Sequence, residues 1–253
     1  MTEPDQTPLT DRRAAPPAWL AEVPLAHRGL HDEERPENSL PAFEAAAREG
    51  YGVELDVHLS RDGVPVVLHD PDLGRVAGHA ARVGDLTVQQ LRSLRLGGTT
   101  AHVPSLAEAL ERLSHVPVMV ELKQERLRVG SLEQAVATVL DGHPGPWCVA
   151  AFNPLSVSWF RRRRPDAVRV LTSGPLEDVG LHEPVRRRLA ALTDLPRVAP
   201  HAVSYDLSGL PNPATDRWRA SGGLLLTWTA VGPEGLARAR SLADNVIFEH
   251  VRP

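Results

Sequence analysis

Two short patterns carry most of the chemistry legible in this chain. Glu54 and Asp56 stand two apart in Val53-Glu54-Leu55-Asp56-Val57, and Glu121 and Lys123 stand two apart in Val120-Glu121-Leu122-Lys123. In an extended segment, side chains two apart leave the same face, so each pair projects together. The flanking Val53, Leu55 and Val57 argue for burial rather than a solvated strand end. Converging carboxylates repel one another, and desolvating each without a partner costs several kcal/mol. A hard divalent cation with oxygen ligands removes that cost, so Glu54, Asp56 and Glu121 read as ligands of Mg²⁺ or Ca²⁺. Zinc prefers nitrogen or sulfur, so a carboxylate-only set points away from it. His27 and His69 suit proton transfer near neutral pH. Arg28 and Lys123 add positive charge, and an arginine can hold a phosphate through two parallel hydrogen bonds. A cation, two imidazoles and two fixed positive charges are what phosphoryl transfer needs: neutralised oxygens, an activated nucleophile and a protonated leaving group.

These residues fall at the C-terminal ends of short apolar runs. Strands are expected at Val23–His27, Val53–Leu59, Val64–His69, Val116–Leu122, Trp147–Phe152, Val168–Leu171, Ala202–Tyr205 and Leu224–Thr229. They are too apolar for one-sided sheets, which implies that both faces are covered. Helical runs separate them: Leu40–Arg48 with Ser39 as N-cap and Gly50 as its close, then Leu106–Leu113, Leu132–Leu140, Pro154–Arg163, Val185–Leu192, Pro213–Ala220 and Pro233–Ala243. Between the second and third runs lies only Arg61-Asp62-Gly63, a turn signal. Repeated βα units imply a parallel sheet that right-handed crossovers can close into a (β/α)₈ TIM barrel, whose active face lies at the strand C-termini. A doubly wound open sheet competes, but no Gly-x-Gly-x-x-Gly or P-loop pattern follows the first strand. Residues 72–103, helical at Thr87–Leu94, read as a small insertion after strand three.

The 253 residues suit one barrel of this kind. The first 18 residues, rich in Pro, Asp and Arg, are expected to form a disordered tail ahead of a single domain over 19–253. They contain no apolar signal region, and no window approaches the roughly 20 apolar residues of a membrane span. The expectation is therefore a cytoplasmic protein without stable membrane insertion. A net charge of -4 argues against a nucleic-acid coat. The single cysteine, Cys148, sits in an apolar strand-like run and reads as core. Arg161–Arg164 and Arg186–Arg188 read as solvated helix ends. His58 shares parity with Glu54 and Asp56, yet stands near the Ser60–Gly63 turn and reads as a solvated histidine.

In order, His27-Arg28-Gly29, Pro36-Glu37-Asn38-Ser39, Glu54-Leu55-Asp56, His69-Asp70, Glu121-Leu122-Lys123 and Trp228-Thr229 resemble the motifs of glycerophosphodiester phosphodiesterases, over about residues 20–253. The resemblance implies a (β/α)₈ barrel that uses Mg²⁺ or Ca²⁺ to release glycerol 3-phosphate and an alcohol from glycerophosphodiesters such as glycerophosphocholine. It implies that Glu54, Asp56 and Glu121 hold the metal, that His27 and His69 form the acid/base pair, and that Arg28 and Lys123 bind phosphate. Asn38 would support the metal or phosphate shell, and Trp228 would wall the glycerol pocket. In the family mechanism the substrate's own glycerol hydroxyl attacks, giving a cyclic phosphate that water opens; His69 is assigned as first-step acid and His27 as base. The chain departs from the family pattern at Ala230-Val231-Gly232 and at Phe248-Glu249, which stands where Thr-Asp is usual.

Two other functions fit the same frame. A phospholipase D-like enzyme cleaving lysolipids needs an apolar landing surface at the mouth, and residues 72–103 offer few large apolar side chains. A catalytically silent binding barrel predicts that one of His27, Glu54, Asp56, His69 or Glu121 is replaced, and all are present.

Overall fold

The computed structural model describes residues 15–123, 129–177 and 180–253. Eleven strands run along it: β1 Leu25–His27, β2 Gly52–Leu59, β3 Pro65–Val67, β4 Asp72–Leu73, β5 His79–Arg82, β6 Val118–Leu122, β7 Trp147–Ala151, β8 Arg169–Ser173, β9 Ala202–Asp206, β10 Leu224–Val231 and β11 Asn245–Glu249. The main sheet has nine strands in the order β1-β11-β10-β9-β8-β7-β6-β2-β3. β1 also pairs with β2, so the eight parallel strands close on themselves, and β3 hangs antiparallel on β2.

Period-two alternation builds two cores from one set of strands. One face of the strands, with Leu25, Met119, Cys148, Ala150, Val170, Ala202, Leu226 and Ile247, fills the barrel interior. The other, with Val53, Leu55, Val57, Val120, Val149, Val203 and Phe248, packs under the helices. This two-sided burial is why the runs read as continuously apolar. Cys148 is accordingly a buried interior residue. Of the expected tail, residues 1–14 lie outside the described residues. A short helix, Trp19–Glu22, follows and buries Leu20 against the interior cluster.

The helices expected at Leu40, Leu106, Pro154 and Pro213 start there, and those expected at Leu132, Val185 and Pro233 start one or two residues earlier. Ser39 accepts from the Ala42 backbone N–H and caps Leu40–Arg48, and Ser105 with Glu108 forms a capping box before Leu106–Arg112.

The expected third barrel strand is a correction. Its core, β3, pairs antiparallel with β2, Val57 opposite Val67. Arg61-Asp62-Gly63 is too short for a parallel return, which needs a crossover of a dozen or more residues. The eighth stave is β11 instead, a run of only three strongly apolar residues at the chain's end, Val246-Ile247-Phe248. β3 thus belongs to the excursion between β2 and β6. That excursion adds the β4/β5 hairpin and the helix Val88–Arg92, and packs around Val66, Leu68, Leu73, Val83, Leu91, Leu96 and Val103.

Phe248 anchors the closing strand, with its ring edge-on to Tyr51 at 4.9 Å. Phe248→Ala is expected to cost ~3–5 kcal/mol. A urea titration should show a lower midpoint at unchanged slope.

Candidate active site

Parity and register together converge the polar residues on one end of the barrel. Parallel pairing sets His27 beside Glu54 and Asp56 beside Glu121. Inward-facing positions that are apolar lower in the barrel become acidic or basic at the top, Leu25 giving way to His27 and Met119 to Glu121. One oxygen from each of Glu54, Asp56 and Glu121 lies within 4.8 Å of the others, and all three residues are buried.

Asp56 is the best neutralised of the three. Lys123 Nζ stands 2.9 Å from its Oδ1 and Arg28 Nε 3.3 Å from its Oδ2. Asn38 donates to Oδ2 at 2.8 Å and accepts the Asp56 backbone N–H at 3.3 Å. Burial alone would raise the Asp56 pKa, but Lys123 and Arg28, with His69 and His27 behind them, hold it well below the usual carboxylate range. Lys123 also bonds Glu121, and its own pKa is raised because the two carboxylates outweigh burial. Glu54 differs. Its Oε2 accepts a long bond from the Arg28 backbone N–H (3.3 Å) and lies 4.0 Å from His27 Nε2. Burial first, then Asp56 and Glu121, push its pKa well above normal. A desolvated carboxylate facing two others, whose burial and acidic neighbours outweigh Lys123 and Arg28, suits a hard divalent cation.

Left-handed backbone aims the phosphate-side residues. Arg28 (φ 57°), Gly29 (φ 83°) and Asn38 (φ 55°) all lie there. At Gly29 a Cβ would stand 2.8 Å from the Ala42 carbonyl carbon, so only glycine lets the chain turn against the helix Leu40–Arg48. The turned chain carries Arg28 over Asp56. From Arg28 an ion-pair chain crosses the rim: Arg28 to Glu37 (2.8 Å), Glu37 to Arg75 (2.6 Å), Arg75 to Asp70 (2.7 Å), and Asp70 to His69 Nδ1 (2.7 Å). On the far side, His27 Nδ1 donates to Glu249 Oε2 at 2.9 Å. Burial lowers the His69 pKa despite Asp56 and Asp70.

All nine residues singled out in the sequence meet here, with Asn38 beneath the pocket floor and the others around it. The expectation for His58 is a correction: it is buried, and its Nε2 donates to the His69 carbonyl at 2.9 Å, fixing the backbone that presents the imidazole. Its inward parity was the signal for this. The roles of Glu37, Arg75 and Glu249 depend on contacts 9 to 222 residues apart in sequence, which no local pattern reveals.

The cavity above this floor holds about 400 Å³. One side is charged; the other is Phe152, Leu176, Leu181, Leu189 and Trp228. Phe152 and Trp228 meet edge to face at 5.5 Å. Trp228, Thr172 and Ser204 line it, and their Nε1, Oγ1 and Oγ atoms are buried without a hydrogen-bond partner among the described residues.

Residues 27–144 match the glycerophosphoryl diester phosphodiesterase family. Probable glycerophosphodiester phosphodiesterase 2 of Mycobacterium tuberculosis is 31% identical over 159 residues, 62% of this chain and 56% of that protein. Human glycerophosphodiester phosphodiesterase 1 is 39% identical over 102 residues, 36% of this chain and 30% of that protein. The chain thus covers about half or less of these relatives' own length. Among solved structures, an Oleispira antarctica phosphodiesterase in complex with the product sn-glycerol-3-phosphate superposes with a TM-score of 0.78 at 22% identity, over 91% of this chain and 94% of that one. A glycerophosphodiester phosphodiesterase from Thermotoga maritima gives 0.68 at 25%, over 89% and 94%.

The raised pKa of Glu54 has a consequence for stability. A carboxyl raised in the folded state favours folding while protonated, and that contribution is lost as pH rises through its folded pKa. Glu54→Gln is therefore expected to stabilise the metal-free protein at pH 8, since it removes a buried carboxylate that burial and two like charges disfavour. The gain should shrink as pH falls. Urea denaturation in chelator at pH 5 and pH 8 measures both; an equal effect at the two values contradicts the assignment.

Proposed function

We propose, from the match of residues 27–144 to the glycerophosphoryl diester phosphodiesterase family and the similarity to its members, that the chain hydrolyses glycerophosphodiesters to glycerol 3-phosphate and an alcohol, with a divalent cation held by Glu54, Asp56 and Glu121. The observation that carries this reading is the convergence of three buried carboxylates with His27, His69, Arg28 and Lys123 at one cavity. Bound there, Mg²⁺ or Ca²⁺ supplies positive charge to the phosphate oxygens and acidifies the attacking hydroxyl.

The protein's own groups do the rest. Arg28 and Lys123 hold the phosphate against the acidic floor. His27 donates its Nδ1 proton to Glu249, so Nε2 is left as the base that takes the proton of the glycerol hydroxyl. As the cyclic phosphate forms, His69 protonates the departing alcohol. Asp70, accepting from Nδ1, favours the imidazolium that burial disfavours. Water then opens the ring with the two roles exchanged. Trp228 and Asn38 shape the glycerol side, Trp228 as a wall and Asn38 by locking Asp56.

A second reading, cleavage of lysolipids, gains support from a surface outside residues 72–103. The wall of Leu176, Leu181 and Leu189 is apolar, and Leu181 is exposed at the mouth. Glycerophosphocholine remains the first substrate because the charged floor matches a small phosphodiester.

Glycerol 3-phosphate release from glycerophosphocholine should vanish in chelator and return with Mg²⁺ or Ca²⁺; full turnover in chelator overturns the metal assignment. Lysophosphatidylcholine assayed in parallel separates the two substrates, and marked preference for it favours the second reading. His69→Ala should reduce kcat by about 10²-fold or more. Asp70 raises the His69 pKa, so Asp70→Asn should move the alkaline limb of the kcat/KM profile to lower pH, since the acid loses its proton sooner. A limb that stays in place removes His69 from the acid role.

A further inference from the structure

A second cluster, distinct in chemistry from the acidic floor, lies where the first and last strands meet. His31 Nε2 stands 3.3 Å and His250 Nε2 3.1 Å from the same atom, Glu249 Oε1. Ligand atoms of the three residues lie within 4.8 Å of one another. We propose that His31, Glu249 and His250 form a second metal site, selective for a borderline transition-metal ion of the Zn²⁺ class.

Geometry is the first support. A tetrahedral zinc site with bonds of about 2.0–2.1 Å has ligand–ligand edges of about 3.3–3.4 Å, and the two measured edges are 3.3 and 3.1 Å. The second support is burial: His31 Nε2 is sealed from solvent, and its contact with Glu249 Oε1, at 3.3 Å, is longer than the usual N–H···O bond. The third is backbone. Consecutive residues on an extended strand face opposite ways, but His250 has φ 54°, and the left-handed turn brings its ring back over Glu249. The two imidazoles meet edge to face at 5.0 Å and 72°. His250 is half-exposed, which leaves the fourth position to water. Two nitrogens and one carboxylate are a zinc-type set, whereas the three carboxylates of the floor are a hard-ion set.

The site is wired to the cavity through one carboxylate. Glu249 gives Oε1 to this cluster and Oε2 to His27 Nδ1. An ion on Oε1 draws charge from the carboxylate that orients and supports His27, so it lowers turnover without touching substrate. That last effect rests on the role proposed for His27; binding itself does not.

The test uses the tag-free full chain with Mg²⁺ saturating, so that the acidic floor is filled. Zn²⁺ titrated by calorimetry should bind wild type at one site. His250→Asn, in which Asn tolerates the left-handed backbone, should weaken it at least about tenfold, no less than the loss of an outer-shell partner brings. His31→Ala should do the same. Co²⁺ should give the intense visible bands of a tetrahedral site in wild type, diminished in His250→Asn. Unchanged zinc affinity in His250→Asn, or cobalt bands indifferent to it, overturns the site. Zn²⁺ inhibition that His250→Asn relieves supports the link to His27. Zinc binding lost in His250→Asn with inhibition unchanged overturns the link and leaves the binding site standing.

Discussion

The structure turns on a single carboxylate that is fully buried yet kept ionised. Asp56 faces into the barrel with Glu54 and Glu121 beside it, and it is tolerable there because Lys123, Arg28 and Asn38 converge on its two oxygens. Those partners come from three places in the chain: the end of β6, the turn after β1, and the entry to the helix Leu40–Arg48. Each is fixed by a backbone feature, whether strand parity, the Gly29 turn or the left-handed Asn38. The need to satisfy one buried charge therefore dictates local conformation at several points around the rim.

The two ends of the barrel divide the energetic work. Toward the strand N-termini the interior is apolar, with Leu20 packed against Leu25, Met119 and Ile247, and hydrophobic burial holds the strands together there. Toward the C-termini, the same inward positions carry charge and depend on one another for neutralisation. Glu54, on which burial and its two acidic neighbours outweigh Lys123 and Arg28, stores the imbalance. The apolar end is thus what allows the polar end to be intrinsically unfavourable, in line with strain concentrating at functional sites.

Most of the fold and much of the site were legible in the chain because their signals are local. Alternation gave away Glu54/Asp56 and Glu121/Lys123 as inward pairs, and Ser39 announced its helix. What escaped was non-local. β11 offers only Val246-Ile247-Phe248 as a pattern, and its place is set by closure against β1. β3 carries a good strand composition, but turn length, not composition, decides its direction. His58 shows the limit of reading exposure from a nearby turn, since the excursion folds back over it and presents the His69 carbonyl. Glu37, Arg75 and Glu249 act by bridging segments far apart in sequence.

The excursion between β2 and β6 has a core of its own, from Val66 through Val103, separate from both barrel clusters. Its polar link to the rim runs through Asp70 and Arg75 to Glu37. Such an arrangement is modular in the evolutionary sense: side chains over most of its outer surface can be exchanged, and its contour redrawn, while the hydrophobic scaffold of the barrel is left intact. Selectivity at the cavity entrance can then drift independently of the stability that keeps the barrel closed.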